Sequence, residues 1–484
     1  MNQQIRRLFI VILAMFALLG AAATNNQVFQ APALNADARN ERTILHAAET
    51  DRGPIIVAGT AIASSTKVEG SKRFQRTYSQ GPLYAPITGF FSSAFSQATG
   101  LEAASEQILD GQDQALLAQR IHNLFTGANR QGGGVVLSVD PALQQVAAEQ
   151  LGDRKGAVVA LDAKTGAILA LYSSPTYDPN TLAAFDSAAV DSAYRALVDD
   201  PGDPLSNRAI AGSLYAPGST FKLLTTIALL ENGIASPTTN MESPVSTVLP
   251  GTSTSVPNAL SAECGDGNPT LTEAFARSCN TTFILASQKL TESQLADVAE
   301  RFGFGKPLSI PLKVTPSSFP KGMDAAQLAM SSIGQFDVKA TPLQMAMVAQ
   351  AIANEGTMME PYLISQIVDA DLTVQSETRP SVAGTPISAD IADQLTEMMK
   401  SAVNEPYGTG QYIRPNGIQA AAKTGTAETG VNGRTNGWAV GFAPADDPQI
   451  AFAVIVEGDD ANPNPFGSTA AGPIAQALLE AGIR

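Results

Sequence analysis

Histidine and cysteine are almost missing from this chain, which carries two of each in 484 residues: His46 and His122, Cys264 and Cys279. A histidine-based triad therefore has little to draw on, since both histidines fall early, in a stretch that reads as a separate domain. No Cys/His cluster has metal-ligand spacing, so neither a metal nor a cofactor is expected. Positive charge is also scarce, with 30 Lys and Arg against 45 Asp and Glu and a net charge of −15. That balance argues against nucleic acid, whose phosphates it would repel. Long apolar runs are limited to one, Leu8 to Ala23, preceded by Arg6 and Arg7. It is short for a spanning helix and long for a signal-peptide core. An uncleaved single-pass anchor and a removed signal, cut near Ala21-Ala22-Ala23, both remain open. Either exports the rest of the chain as an extracytoplasmic body, with the arginines left in the cytoplasm.

What is present reads as a mixed α+β protein of two or three domains, 44% hydrophobic and 15% charged. Residues 1–24 form the anchor or signal and 25–43 a polar linker. From 44 to 134, short strand-like pieces such as Gly53–Val57 and Tyr84–Gly89 precede a helical stretch at 101–125. This looks like a small domain without chemistry. Gly132-Gly133-Gly134 marks a boundary, and 135–484 forms the main domain. Within it, Val135–Val139 reads as a strand, Pro141–Leu151 as a helix, and 156–171 as a hairpin turning at Asp162–Gly166. Strands at 437–442 and 449–456 and a closing helix at 470–481 follow. The short connections favour an antiparallel sheet flanked by helices.

The chemistry starts at Pro217-Gly218-Ser219-Thr220-Phe221-Lys222, which opens a helix apolar on nearly every face and stopping at Asn232-Gly233. Ser219 and Lys222, three apart, share a face of its first turn. A helix N-terminus favours negative charge on the serine oxygen, while burial disfavours charge on the lysine. The neutral amine can then take the serine proton without any histidine. The spacing alone is weak evidence, because Ser64…Lys67 and Ser318…Lys321 share it. The first lies in a polar run, and the second contains Pro320, which opposes a helix. Two further patterns follow in order: Ser278-x-Asn280, then Lys423-Thr424-Gly425-Thr426. Lys164-Thr165-Gly166 repeats part of the last, but precedes the nucleophile and reads as a hairpin turn.

The ordered trio is the signature shared by penicillin-binding proteins and serine β-lactamases. The chain resembles the monofunctional (class B) penicillin-binding proteins, membrane-anchored D,D-transpeptidases of peptidoglycan synthesis, and within them the compact actinobacterial type. The resemblance also rests on Tyr215–Lys222, Asn207-Arg208-Ala209, Ile333-Gly334-Gln335 and Thr341–Ala346. It implies a first domain of the dimerisation kind and a penicillin-binding transpeptidase domain. Ser219 would attack the carbonyl between two terminal D-alanines of a stem peptide, with Lys222 as base. Ser278 would pass a proton to the departing amine, and Asn280 would orient Lys222 and hold a substrate amide. Lys423 would sustain a positive field, with Gly425 beside it in the substrate-binding strand. Thr424 and Thr426 would hold the terminal carboxylate, and the N–H groups of Ser219 and Thr426 would form the oxyanion hole. β-Lactams would acylate the same serine. A separate membrane glycan polymerase would be the partner.

Cys279 fills the middle of Ser278-x-Asn280, and Cys264 stands fifteen positions earlier in a loop. In an exported domain the two can pair as a disulfide tethering that loop; the alternative is two reduced thiols with Cys279 buried. Other functions carrying the trio are a β-lactamase, a β-lactam sensor and a D,D-carboxypeptidase. A silent scaffold of the division or elongation machinery is the reading from outside enzymology.

Overall fold

The computed structural model describes residues 2–26, 30, 48–95, 97–116, 131–212, 214–259, 262–308 and 310–483. His46, His122, nearly all of the expected linker and the end of the helical stretch at 101–125 lie outside these residues.

The elements used below, in chain order, are helix α1 (Asn2–Thr24), strands β1 (Ile55–Val57), β2 (Thr60–Lys67) and β3 (Phe74–Tyr78), and helix α2 (Gly81–Thr88). Then come β4 (Gly134–Leu137), α3 (Pro141–Leu151), β5 (Gly156–Asp162) and β6 (Ile168–Ser174). Helices α4 (Lys222–Glu231), α5 (Leu271–Ala276), α6 (Asn280–Ser287), α7 (Ala325–Ser332) and α8 (Pro342–Ala353) follow. The chain continues with β7 (Ile364–Val368), β8 (Val374–Glu377) and α9 (Ala389–Asn404). It ends with β9 (Ala421–Glu428), β10 (Thr435–Ala443), β11 (Ile450–Glu457) and α10 (Gly472–Gly482).

Two sheets organise the body. The larger domain is built on an antiparallel sheet in the order β9-β10-β11-β5-β6. Its central strands are apolar on both faces, and alternate residues divide into two cores. Val159, Leu161, Ala453, Ile455 and Trp438 face the side of α4 and α8. Val158, Ala160, Phe452 and Val454 face the side of α3 and α10. Burial on both faces explains why β5 and β11 read as continuous apolar runs. Asp140 caps α3 by accepting from Ala142 and Leu143, and Thr341 caps α8 by accepting from Gln344.

The second sheet runs β8-β7-β4-β1-β2-β3. It joins strands from both ends of the chain: β4 lies parallel to β1 and antiparallel to β7, more than 200 residues away. The three glycines read as a boundary are tightly packed; a Cβ on Gly132 would fall 1.8 Å from the Leu109 carbonyl oxygen. Beneath this sheet lies a buried ion cluster. Glu102 accepts from Arg52 Nε at 2.5 Å, Arg76 Nε at 2.7 Å and the Tyr78 hydroxyl at 3.1 Å.

One expected strand is a helix. Tyr84–Gly89 reads as extended because Pro86 opposes a helix interior, yet α2 runs through it. Pro82 fits the first turn, where no N–H is needed. The Pro82 carbonyl, left without the Pro86 N–H, accepts from Thr176 Oγ1 at 2.8 Å. Tyr84, Ile87 and Thr88 are buried at helical spacing. At the other terminus of this half, α1 has 23 residues, is exposed wherever its side chains are described, and carries mean hydropathy 2.2 over its apolar window. Among the described residues it is the one helix long and apolar enough to cross a membrane.

Candidate active site

Ser219 lies in a single 3-10 turn, Gly218–Phe221, which runs directly into α4. The segment before it is fixed at several points. Tyr215 exchanges backbone bonds with Ala340, and its hydroxyl donates to Glu457 at 2.6 Å. Arg208 Nε reaches the same carboxylate at 2.9 Å. The indole N–H of Trp438 donates to the Ala216 carbonyl at 3.1 Å, and the Gly218 N–H to that of Gly334 at 2.9 Å. Gly218 and Gly334 both have positive φ, and a Cβ on Gly334 would stand 2.1 Å from the Gly218 oxygen. That contact gives a physical reason for the Ile333-Gly334-Gln335 stretch. Ser219 is partly exposed, and among the described residues its hydroxyl makes no hydrogen bond.

Ser278 occupies an unusual backbone. It follows the end of α5 with φ of +62°, a region that serine rarely adopts. The Cys279 N–H donates to the Ala274 carbonyl at 2.9 Å and the Ser278 N–H to that of Phe275 at 3.0 Å. This is a Schellman helix stop with serine in the place usually taken by glycine. The helix therefore breaks here, and Asn280 starts α6. Thr270 caps α5 by accepting from the Glu273 N–H at 3.2 Å. A disulfide joins Cys279 to Cys264, Cα to Cα 6.0 Å. It tethers the stretch leading into Cys264, whose Pro257 carbonyl accepts from Asn280 Nδ2 at 3.2 Å. That contact turns the amide so that its oxygen faces Lys222.

The two lysines meet at Ser278, and both are fully buried. Lys222 Nζ lies 2.8 Å from the Ser278 carbonyl, 2.8 Å from Asn280 Oδ1 and 3.4 Å from Ser278 Oγ. Lys423 Nζ lies 2.8 Å from Ser278 Oγ and 2.8 Å from the Thr424 carbonyl. Each faces an aromatic ring, Phe283 at 5.3 Å and Phe275 at 5.7 Å. Burial, and then the charge of Lys423, hold the Lys222 amine well below the usual lysine range. Burial brings Lys423 down to about 7. A neutral Lys222 satisfies the hydrogen-bond inventory. Its two N–H groups go to the Ser278 and Asn280 carbonyl oxygens, and its lone pair remains. Ser278 can then accept from Lys423 and donate to Lys222.

The edge strand β9 forms the other wall. A Cβ on Gly425 would come 3.0 Å from Thr220, so this strand sits directly on the nucleophile turn. A Cβ on Gly218 would come 2.7 Å from the Thr426 carbonyl oxygen. The N–H and C=O of one strand residue point the same way, so the Thr426 N–H also faces Ser219. Thr426 Oγ1 accepts from the Gly467 N–H at 3.4 Å, and Thr424 Oγ1 donates to Thr409 Oγ1 at 2.7 Å. Ser219, Lys222, Ser278, Asn280 and the 423–426 segment thus share one cleft. Lys164-Thr165-Gly166 lies in the β5–β6 hairpin, Ser64…Lys67 on β2, and Ser318…Lys321 near an isolated bridge to Lys339.

Comparison with known proteins agrees with this geometry. A model described as the penicillin binding protein transpeptidase domain matches residues 156–480. One described as the penicillin binding protein A dimerisation domain matches 52–135. The chain belongs to the penicillin-binding transpeptidase family. It is 42% identical over 495 residues to the peptidoglycan D,D-transpeptidase PbpA of Mycolicibacterium smegmatis, covering 100% of this chain and 99% of that protein. The Mycobacterium tuberculosis PbpA is 40% identical over the same coverage. Penicillin-binding protein A of M. tuberculosis, solved as a ceftriaxone acyl-enzyme, matches with a TM-score of 0.85 at 38% identity, covering 91% of this chain and 100% of that one. Its imipenem acyl-enzyme also matches at 0.85, at 39% identity over 91% and 100%. This penicillin-binding transpeptidase is a class B peptidoglycan D,D-transpeptidase, a serine-type acyltransferase. Sequence reasoning missed Thr409 and Pro257 at its cleft, and Glu457, which anchors Tyr215 and Arg208 ahead of the nucleophile turn. Gly408-Thr409-Gly410 was visible but carried no known spacing.

Proposed function

We propose that this transpeptidase cross-links stem peptides ending in D-Ala-D-Ala, with the eight cleft residues in separate roles. Ser219 Oγ attacks the penultimate carbonyl while Lys222 takes its proton. The N–H groups of Ser219 and Thr426 receive the developing oxyanion, at about 3 kcal/mol per donor. The proton passes from Lys222 through Ser278 to the departing D-alanine amine, the C–N bond breaks, and the acyl-enzyme remains. An amine of a second stem peptide then attacks the ester; Lys222 takes its extra proton and Ser219 is released protonated. Asn280 orients Lys222 and holds a substrate amide. Lys423 supplies positive charge through Ser278, and Thr424 and Thr426 hold the terminal carboxylate beside Gly425. β-Lactams, which carry a carboxylate and a reactive amide, enter as substrate mimics and stop at the acyl-enzyme.

The observation that supports this most is the meeting of two fully buried lysines on one serine hydroxyl beside the nucleophile turn. Residues 1–24 act as a single-pass anchor, since a helix of 23 residues spans about 35 Å. Residues 25–43 are its linker, 44–134 a dimerisation-like domain, and 135–484 the catalytic body outside the membrane. A membrane glycan polymerase supplies the strands to be joined.

The test is a time course of fluorescent-penicillin labelling on the full chain in detergent, beside Ser219→Ala. Labelling of the parent that persists for many minutes and is absent from the variant is expected. Loss of label within seconds would favour a β-lactamase, and no label on folded parent a scaffold.

A further inference from the structure

Between α9 and β9 the chain makes a short, tightly seated detour through Gly408-Thr409-Gly410. The Gly410 N–H donates to the Ala402 carbonyl at 2.8 Å, and a Cβ on Gly408 would fall 2.2 Å from that same oxygen. The glycine lets the segment lie flat on the end of α9. Tyr407 is held from the other side by the Arg277 guanidinium, 4.5 Å over its ring. Thr409 is thereby presented between two catalytic motifs. Its N–H and its hydroxyl both reach the carbonyl of Ala276, at 3.1 and 3.3 Å. Ala276 is the last residue of α5, two before Ser278. On the opposite side its hydroxyl accepts from Thr424 at 2.7 Å.

We infer that Thr409 is a positioning residue for carboxylate recognition, its hydroxyl being the reversible partner that frees Thr424 to donate to the ligand. This rests on the carboxylate role given to Thr424 above. A hydroxyl has one proton. Without ligand, Thr424 gives its proton to Thr409, and Thr409 gives its own to Ala276. A carboxylate arriving at Thr424 demands that proton. The hydroxyl oxygen of Thr424, a residue only 5% exposed, is then left with a lone pair facing Thr409. Thr409 can turn its hydroxyl to fill it, because its backbone N–H still satisfies the Ala276 carbonyl. Two hydrogens rotate and no heavy atom moves. The reversed chain runs Thr409 to Thr424 to carboxylate, each bond polarising the next. Without the Thr409 hydroxyl, the bound state holds a buried acceptor with no donor.

The test measures second-order acylation by benzylpenicillin and by its methyl ester, which lacks the negative charge, on the full chain in detergent. Thr409→Val keeps shape and the backbone N–H but removes the hydroxyl; Thr409→Ser restores it, and Thr424→Val reports on the underlying reading. Thr409→Val is expected to slow the acid about 10-fold and the ester less than about 2-fold, with Thr409→Ser close to the parent. An equal loss for acid and ester, or none for either, would overturn the inference and leave Thr409 as scaffolding. If Thr424→Val fails to change the acid-to-ester ratio, the carboxylate reading of Thr424 falls, and this inference with it. If Thr424→Val changes the ratio and Thr409→Val does not, only the inference falls. Should Thr409→Val not fold, Thr409→Ala is read by the same ratio.

Discussion

Two ammonium groups cannot both stay charged cheaply in a dry cleft, and Lys222 and Lys423 lie on one serine hydroxyl at 3.4 and 2.8 Å with, among the described residues, no acidic group opposing either. Their protons belong to the pair, so acylation should follow a bell-shaped pH profile. The acid limb is protonation of Lys222, which abolishes the base. The alkaline limb is loss of charge from Lys423, beginning near its value of about 7. The charge on Lys423 depresses Lys222, so removing it raises the pKa of Lys222. Lys423→Met should therefore move the acid limb to higher pH, abolish the alkaline limb and lower the maximum about 10- to 100-fold. The second-order acylation constant against pH reads this for the free enzyme; an acid limb that stays put would contradict the coupling. The Ser219…Lys222 pair was legible because a buried helix with a lysine in its first turn is rare. The sharing of Ser278 by both lysines was not, because it depends on a left-handed residue that no propensity assigns to serine.

At the scale of elements, the second motif is a junction: α5 stops, Ser278 turns, and α6 begins within four residues. Ser278 in the left-handed region costs about 1 kcal/mol or more, so the surroundings must hold it there. Cys279, next to it, is buried and joined to Cys264, which tethers the preceding stretch whose Pro257 carbonyl accepts from Asn280. Replacing both cysteines with serine should lower unfolding free energy by about 3 kcal/mol, the chain-entropy value for a loop of this size. Urea unfolding of the parent and the double variant measures it. Slower acylation should accompany the loss, because Asn280 loses its fixed orientation; unchanged acylation would separate the loop from the site. Helix α3, with its Asp140 cap, matched its sequence signal closely. The failure at α2 shows the limit: Pro86 argues against a helix locally, and only the distant Thr176 hydroxyl makes it acceptable.

Across the whole molecule, the first domain is less separable than its lack of chemistry implies. Glu102, fully buried between Arg52 and Arg76, was invisible in the sequence because its partners lie 50 and 26 residues away. Those guanidinium groups hold its carboxyl below the usual range despite burial. Glu102→Gln would leave buried Arg76 without its carboxylate partner and Arg52 with Glu106 alone, and should cost about 3–5 kcal/mol. Because the folded pKa is depressed, the difference from the parent should be full above pH 4.5 and shrink as pH falls through the folded value. Denaturant unfolding at neutral and acid pH checks both size and direction. The shared sheet carries the argument further. β4 begins the segment read as the catalytic body, yet Val135 and Val136 pair with Ile55 and Ile56 of β1. A protein cut at residue 135 would keep every catalytic motif and lose that strand. Val135 and Leu137, buried in the intact chain, would then border an open edge able to pair with other copies. Losing the burial of Ile55 and Ile56 alone removes about 3–6 kcal/mol. A fragment of residues 135–484 should therefore melt at least about 5 °C below one of residues 48–484 and elute as aggregate. Equal melting and clean elution would show that the catalytic body closes its core without the first domain.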